Sequence, residues 1–274
     1  MSVITISRGT FSGGKTLAEC LSYRLGYRCI DRDDIVQRAA ARGVSERELR
    51  MALDQPPSAL TTLNHRKYVY LAVIQAALTE AVSEGRAIYH GLAGHLLLKG
   101  GIGVLRLRII APLDYRIRMA QERLHFSRSE AIAYIEKMDE DRRKWTRYLY
   151  GVDWEDPSLY DLVINLEYID IDQACRLVTG MTREAYFEFT PDARAAMLDL
   201  ALASRVKAEL AVNPFTSNLE VEVEACSGAV TIKGPLYEQV DEVRRVAQSV
   251  PGVIALNIED LTPAARSEGA SSAE

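Results

Sequence analysis

Gly9-Thr10-Phe11-Ser12-Gly13-Gly14-Lys15-Thr16 sets three glycines, three hydroxyl side chains and one lysine directly ahead of a helical pattern. It satisfies G-x-x-x-x-G-K-[ST] at each specified position. Such a stretch can turn its backbone N–H groups inward around phosphate oxygens, with the positive end of the following helix behind them. Gly9, Thr10, Ser12, Gly13, Gly14, Lys15 and Thr16 are therefore the candidate contacts for the phosphates of a nucleotide. Lys15 would reach the terminal phosphates, and the Thr16 hydroxyl would ligate Mg²⁺. The competing reading is a glycine-rich turn, but the context meets the motif's demands: an apolar strand VITI (3–6) before it, and a helix over 16–25 closed by Gly26 after it.

Two further groups of residues could do chemistry. Asp31, Asp33 and Asp34 follow a strand pattern at 27–31. They read either as a solvated turn or as a source of one carboxylate for Mg²⁺ or for the acceptor. Asp33 is the member selected, because Asp31 still belongs to the strand end. Residues 106–150 hold nine arginines and two lysines against seven acids. In a chain of net charge −5 that concentration points to a specific anionic ligand rather than to nucleic acid in bulk. His90 reads as a strand-end histidine with a satisfied hydrogen bond rather than as a catalyst.

The elements that must position these residues alternate. Strand patterns at 27–31, 86–91, 104–112 and 160–166 follow the first strand. Helical patterns at 66–83, 114–124, from Ser127-Arg128-Ser129-Glu130 (a capping box) to Tyr150, and 170–180 lie between or after them. A further helical stretch after Asp34 is broken at Pro56-Pro57. Alternation over some 180 residues predicts an α/β unit with a five-stranded, mainly parallel sheet, and its late arginine-rich helical segment resembles the lid of small P-loop kinases. It closes before Gly180, so residues 1–190 are expected to fold without the rest. A long helix then starts at Thr190-Pro191, followed by an apolar/acidic alternation at 219–225, a strand at 229–234, a helix at 236–249 and a strand at 253–261. This predicts a small α+β domain. The expected division is 1–185, 190–262 and a small, polar, disordered tail at 263–274.

Composition excludes several classes. Among 274 residues, 48% are apolar and 26% charged, the balance of a soluble protein with a core. No apolar run approaches the ~20 residues of a membrane span. Four scattered cysteines and four scattered histidines offer neither a zinc site nor a disulfide framework. With no basic, apolar leader at Met1, the expected location is the cytoplasm. Residues 191–274 carry 7 basic against 13 acidic side chains, so the acidity of the chain lies there.

The stretches ITISRGTFSGGKTLAECLSYRLGYRCIDRDDI, VLRLRIIAPLDYRIRMAQERLHFSRSEAIAYI and DRRKWTRYLYGVDWEDPSLYDLVINL resemble the cytidylate-kinase-like family of nucleoside monophosphate kinases over roughly residues 1–180. The resemblance implies Mg²⁺-dependent phosphoryl transfer from ATP to a (d)CMP-like acceptor. It further implies that Gly9 to Thr16 bind ATP, and that Arg118, Arg123, Arg142 and Arg143 contact phosphates. The sequence departs from the family at His90-Gly91-Leu92, where an arginine that grips the acceptor phosphate usually follows the glycine. Arg38 or Arg42 is expected to supply the missing cation. The departure keeps two alternatives open: a kinase of a small hydroxyl-bearing acceptor with Asp33 as base, or a nucleotide-sensing regulatory protein.

Residues 197–262 resemble the BON domain, with Gly228, Gly234 and Gly252 at its turns. Glu220, Glu222 and Glu224 on one strand face would repel anionic lipid. The resemblance together with that charge implies a protein partner, self-association or ligand sensing rather than membrane docking.

Overall fold

The computed structural model describes residues 2–54, 63–91, 93–99 and 101–263. The expectations attached to Pro56-Pro57, to Leu92 and to the tail from residue 264 lie outside the described residues.

The chain begins with β1 (Val3–Arg8), α1 (Gly14–Leu25), β2 (Arg28–Asp31), α2 (Arg32–Ala40), α3 (Glu46–Asp54) and α4 (Leu63–Val82). It continues through β3 (Ala87–His90), the short α5 (Gly94–Leu97), β4 (Val104–Ile110), the pair α6 (Leu113–Leu124) and α7 (Arg128–Tyr150), β5 (Leu162–Asn165) and α8 (Ile171–Met181). These five strands form one sheet in the order β2-β3-β1-β4-β5, with every pairing parallel.

The apolar alternation along β1 explains its central place. Val3 packs into the cluster formed with α2 and α4, while Ile4 and Ile6 enter the cluster on the other face with Leu17, Leu21 and Val178. Because the strands are parallel, the ends of β1 (Arg8), β2 (Asp31) and β3 (His90) meet at one edge of the sheet. That edge is where open α/β sheets hold ligands. Among the described residues, no helix is long and apolar enough to cross a membrane.

The remaining elements are α9 (Pro191–Val212), β6 (Glu222–Cys226), β7 (Ala229–Gly234), α10 (Val240–Ser249) and β8 (Ala255–Asp260). β7 sits between an antiparallel β6 and a parallel β8. The apolar/acidic alternation at 219–225 is present, but pairing starts only at Glu222. Val221 is engaged elsewhere: the Tyr68 hydroxyl of α4 accepts its N–H at 3.3 Å and donates to its carbonyl at 3.2 Å. Lys207 lies 5.1 Å from the Tyr68 ring centroid, and burial pushes the Tyr68 hydroxyl up to about 12.

Against the independence expected of residues 1–190, α9 contributes to two cores. Met197, Ala208 and Ala211 of this helix belong to the core cluster that contains Val73, Ala76 and Ala77 of α4. Leu202, Val206 and Leu210 belong to the cluster formed with β6, β7 and α10. The periodicity of α9 marks apolar positions but does not say that two different cores use them. Ending the chain at residue 190 is therefore expected to uncover α4 and give an aggregating protein with a lowered melting temperature. A 1–262 chain should melt as the full chain does. Soluble 1–190 with an unchanged melting temperature would show that α4 needs no cover.

Candidate active site

Between β1 and α1 the chain folds into a cradle. Gly13, the residue ahead of α1, has φ of 86°, a conformation that side-chain-bearing residues rarely adopt. Gly14 is needed for a different reason. A Cβ there would lie 2.9 Å from Cβ, Cγ and Cδ of Arg8, so the stem of Arg8 crosses directly over the cradle's backbone. The first N–H groups of α1 have no partner within the helix and carry its positive end. The Ser12 hydroxyl is buried and finds no hydrogen-bond partner among the described residues. Phe11, at φ of 60°, packs against the small core of the α6–α7 hairpin around Ile117, Ala120, Ala131 and Ile135.

The hairpin is fastened to the cradle by Asp139 of α7. One carboxylate oxygen accepts both the N–H of Thr10 at 3.0 Å and its hydroxyl at 2.7 Å. The same carboxylate pairs with Arg116 of α6 and with Arg142 of α7. Arg116 also donates to the Thr10 carbonyl at 2.7 Å, and Arg142 to the Arg8 carbonyl at 3.0 Å. Burial works to raise the Asp139 carboxyl, but the Thr10 N–H, Arg142, the Thr10 hydroxyl and Arg116 together hold it below the ordinary aspartate value. Burial, with Arg8 and Arg116 nearby, lowers Arg142 to about 10.

Trp154, which is buried, lies 4.3 Å from the Arg108 guanidinium carbon and 4.9 Å from that of Arg142. Arg8, Arg108, Arg116 and Arg142 thus gather around Asp139 and Glu155, a local excess of positive charge beside the cradle.

A polyphosphate fits this arrangement: it offers acceptors to the helix N–H groups, to the buried Ser12 hydroxyl and to the guanidiniums of Arg116 and Arg142, which are bonded to the cradle. Among the described residues, no cluster of three or more His, Cys, Asp or Glu side chains could hold a metal by itself. Mg²⁺ keeps several waters and takes oxygens from phosphates as well as from protein, so a site for it does not require such a cluster. Of the two oxygen donors expected for it, Thr16 is approached by Arg123 at 3.4 Å and Asp33 is paired with Arg50. Beside the cradle opens a cleft of ≈ 360 Å³ lined by Arg8, Lys15, Asp31, Arg32, Asp33, Arg50 and His90.

Residues 3–168 match the cytidylate kinase-like family. The chain belongs to that family. The cytidylate kinase of Methanothrix thermoacetophila is 32% identical over 165 residues, 60% of this chain and 87% of that one. The cytidylate kinase of Haloarcula marismortui is 30% identical over 193 residues, 69% and 92% of the two chains. Among solved structures, an uncharacterized protein from Eubacterium ventriosum shares the fold with a TM-score of 0.53 at 16% identity, covering 66% of this chain and 98% of that one.

The residues singled out in the sequence fall into distinct places. Gly9, Ser12, Gly13, Gly14, Lys15 and Thr16 all sit in the cradle or at the start of α1, and the Lys15 side chain is 60% exposed. Thr10 is a correction, since Asp139 takes both its N–H and its hydroxyl. Arg123 reaches Thr16 Oγ1 at 3.4 Å. Arg118, on the same helix, points outward. Arg116 stands on the stripe of Ala120 and Arg123, and that i, i+4, i+7 spacing was the available signal for it.

Arg142 is at the cradle, whereas Arg143 is paired with Glu140 and with Glu155, the latter at 2.8 Å. Asp33 lines the cleft, but in an ion pair with Arg50. Asp31 and Asp34 close a capping box on α2 instead.

Arg38 and Arg42 do not face the cleft. Arg38 is exposed on α2 opposite the buried Ile35, Val36 and Ala39. Arg42, beyond the helix end, bridges Glu80 of α4 at 2.6 Å and Glu209 of α9 at 2.8 Å. His90 is also corrected: its Nδ1 is buried without a partner among the described residues. Arg8, Arg108 and Trp154 lie in the stretches that carry the family resemblance, but the sequence assigns no role to them or to Asp139.

Asp139→Asn removes the counter-ion of Arg116 and Arg142 and should cost about 3 kcal/mol of stability. ATP with Mg²⁺ should then raise the melting temperature of this variant by more than it raises that of the wild type. Differential scanning fluorimetry with and without nucleotide checks both; equal nucleotide shifts would mean that Asp139 does not offset the guanidiniums at the cradle.

Proposed function

We propose that the protein transfers the γ-phosphoryl group of ATP to a small acceptor, most directly a (d)CMP-like nucleoside monophosphate, with Mg²⁺ as the accompanying ion. The observation that carries this reading is that Lys15 belongs both to the phosphate cradle and to the cleft beside it. A donor in the cradle and an acceptor in the cleft would share that lysine as charge moves between them. Membership of the cytidylate kinase-like family supports the same reading.

In such a transfer the acceptor oxygen bonds to the γ-phosphorus while the bond to the β,γ-bridging oxygen breaks, so the protein's task is positioning and charge stabilisation. The N-terminal amides of α1 and Ser12 hold the donor phosphates. Lys15 and Arg123 bring positive charge to the transferred group, and Arg116 and Arg142 surround the cradle from the α6–α7 hairpin. Mg²⁺, when bound, would neutralise phosphate charge and fix the oxygens, with Thr16 and Asp33 as the chain's donors. A monophosphate acceptor is an anion at neutral pH and needs no base. Asp33 is held in an ion pair with Arg50 rather than left free beside a hydroxyl acceptor, so that reading comes second. The α+β unit of residues 190–262 is proposed to be a BON-like regulatory or interaction module. Its helix–strand–strand–helix–strand order and the exposed Glu220, Glu222 and Glu224 support this.

Lys15→Ala should lower ATP turnover by roughly 100-fold or more while leaving the melting temperature unchanged. A coupled assay over CMP, dCMP, UMP, AMP and small alcohols tests the donor and the acceptor together. Wild-type turnover by folded Lys15→Ala would overturn the donor site; turnover with an alcohol and with no monophosphate would overturn the acceptor.

A further inference from the structure

Arg8 ends β1, and its stem lies flat on Gly14. Its guanidinium therefore cannot retreat along the cradle, and it forms part of the wall of the cleft. The neighbouring guanidiniums are engaged: Arg116 and Arg142 with Asp139, Arg108 and Arg143 with Glu155, Arg50 with Asp33 and Glu46. The Arg8 guanidinium makes no hydrogen bond or ion pair with any described residue, although Arg8 is half-buried. Asp31, which lines the same cleft and acts on Arg8 electrostatically, has its carboxylate committed to the cap of α2. A cation withdrawn from water without a counter-ion is costly unless a ligand supplies one.

A second unmatched group stands beside it. β3 runs parallel to β1, and His90 at its end lines the same cleft. His90 is 6% exposed, and its Nδ1 has no hydrogen-bond partner among the described residues. Burial, reinforced by Arg8, pushes this imidazole below the ordinary histidine value, so at neutral pH it contributes a hydrogen bond without adding charge. One side of the cleft thus presents a fixed guanidinium and an unsatisfied imidazole from adjacent strand ends, complementary to an oxyanion.

We infer that Arg8 and His90 bind the anionic group of the phosphoryl acceptor. This takes over the task for which the sequence after β3 offers no arginine. The inference rests on the reading of the cradle as the donor site and narrows it: the acceptor carries a phosphate-like anion, and Arg8 selects for it. Arg8 is a specificity-determining residue that touches the substrate, and His90 completes its site.

Titration calorimetry in the presence of a saturating non-hydrolysable ATP analogue and Mg²⁺ tests this, because the cradle is then filled and only the cleft is free. The titrants are CMP, cytidine and orthophosphate, against wild type, Arg8→Gln, Arg8→Lys and His90→Ala. Arg8→Gln should weaken CMP roughly ten- to a hundred-fold, the effect of one charge-assisted contact, and leave cytidine unchanged. Arg8→Lys keeps the stem on Gly14 and the charge but loses the planar fork, so its loss should be smaller. His90→Ala should weaken CMP several-fold. The ATP analogue, titrated separately, should change by less than two-fold in each variant.

The inference is overturned if Arg8→Gln and Arg8→Lys bind CMP and orthophosphate as wild type does. It is equally overturned if they lose the ATP analogue as much as CMP, since Arg8 would then serve the donor. Arg8-dependent binding of orthophosphate without any binding of CMP would uphold the inference and remove the nucleotide from the acceptor reading. The donor reading stands or falls separately, on Lys15.

Discussion

Asp139 is the point on which the geometry of the site depends. A single carboxylate accepts from Thr10 of the cradle, from Arg116 of α6 and from Arg142 of its own helix. Those contacts fix the position of the α6–α7 hairpin relative to β1, and through Phe11 they lock the hairpin's small apolar core onto the loop. The Arg116 and Arg142 guanidiniums, set beside the N–H groups that begin α1, would repel one another without such a counter-ion. With it, they form a pre-assembled positive surface that needs little rearrangement to meet phosphate.

The sheet supplies the other half of the arrangement. Parallel pairing carries the ends of β1, β2 and β3 to one edge, so Arg8, Asp31 and His90 become neighbours although they are distant in the chain. The short α2 starts at that edge and ends on the far side, where Arg42 joins Glu80 and Glu209. Cleft and cradle meet at Lys15, which gives the donor and acceptor sides one shared cation.

The parts of this that were legible in the sequence are those governed by local rules. The cradle motif, the glycine at α1's end, the capping box of α7 and the apolar runs of the parallel strands each state their structure within a few residues. The sheet and the candidate donor residues follow from them. Residues whose role comes from distant neighbours were not legible. Arg8 looks like one more charged residue until Gly14 is seen beneath it, and Asp139 is one acid among several on a helix until Thr10 arrives 129 positions away. Arg42 failed as an acceptor contact for the same reason, since Glu209 lies 167 positions away. On α6 the error was one of phase: Arg116 and Arg118 lie on opposite sides of the helix, and only the packing of Ile117 and Ala120 decides which side is inward.

The 22 residues of α9 make a rod of about 33 Å. One side of it closes the core over α4, and the other forms the floor of the three-stranded unit, tied across by Tyr68 and Val221. Neither core can lose this helix without baring apolar surface in both. Two units that look separable in the sequence are therefore expected to unfold together: heating should melt them in one transition, and damage to the small sheet should reach the stability of the cradle.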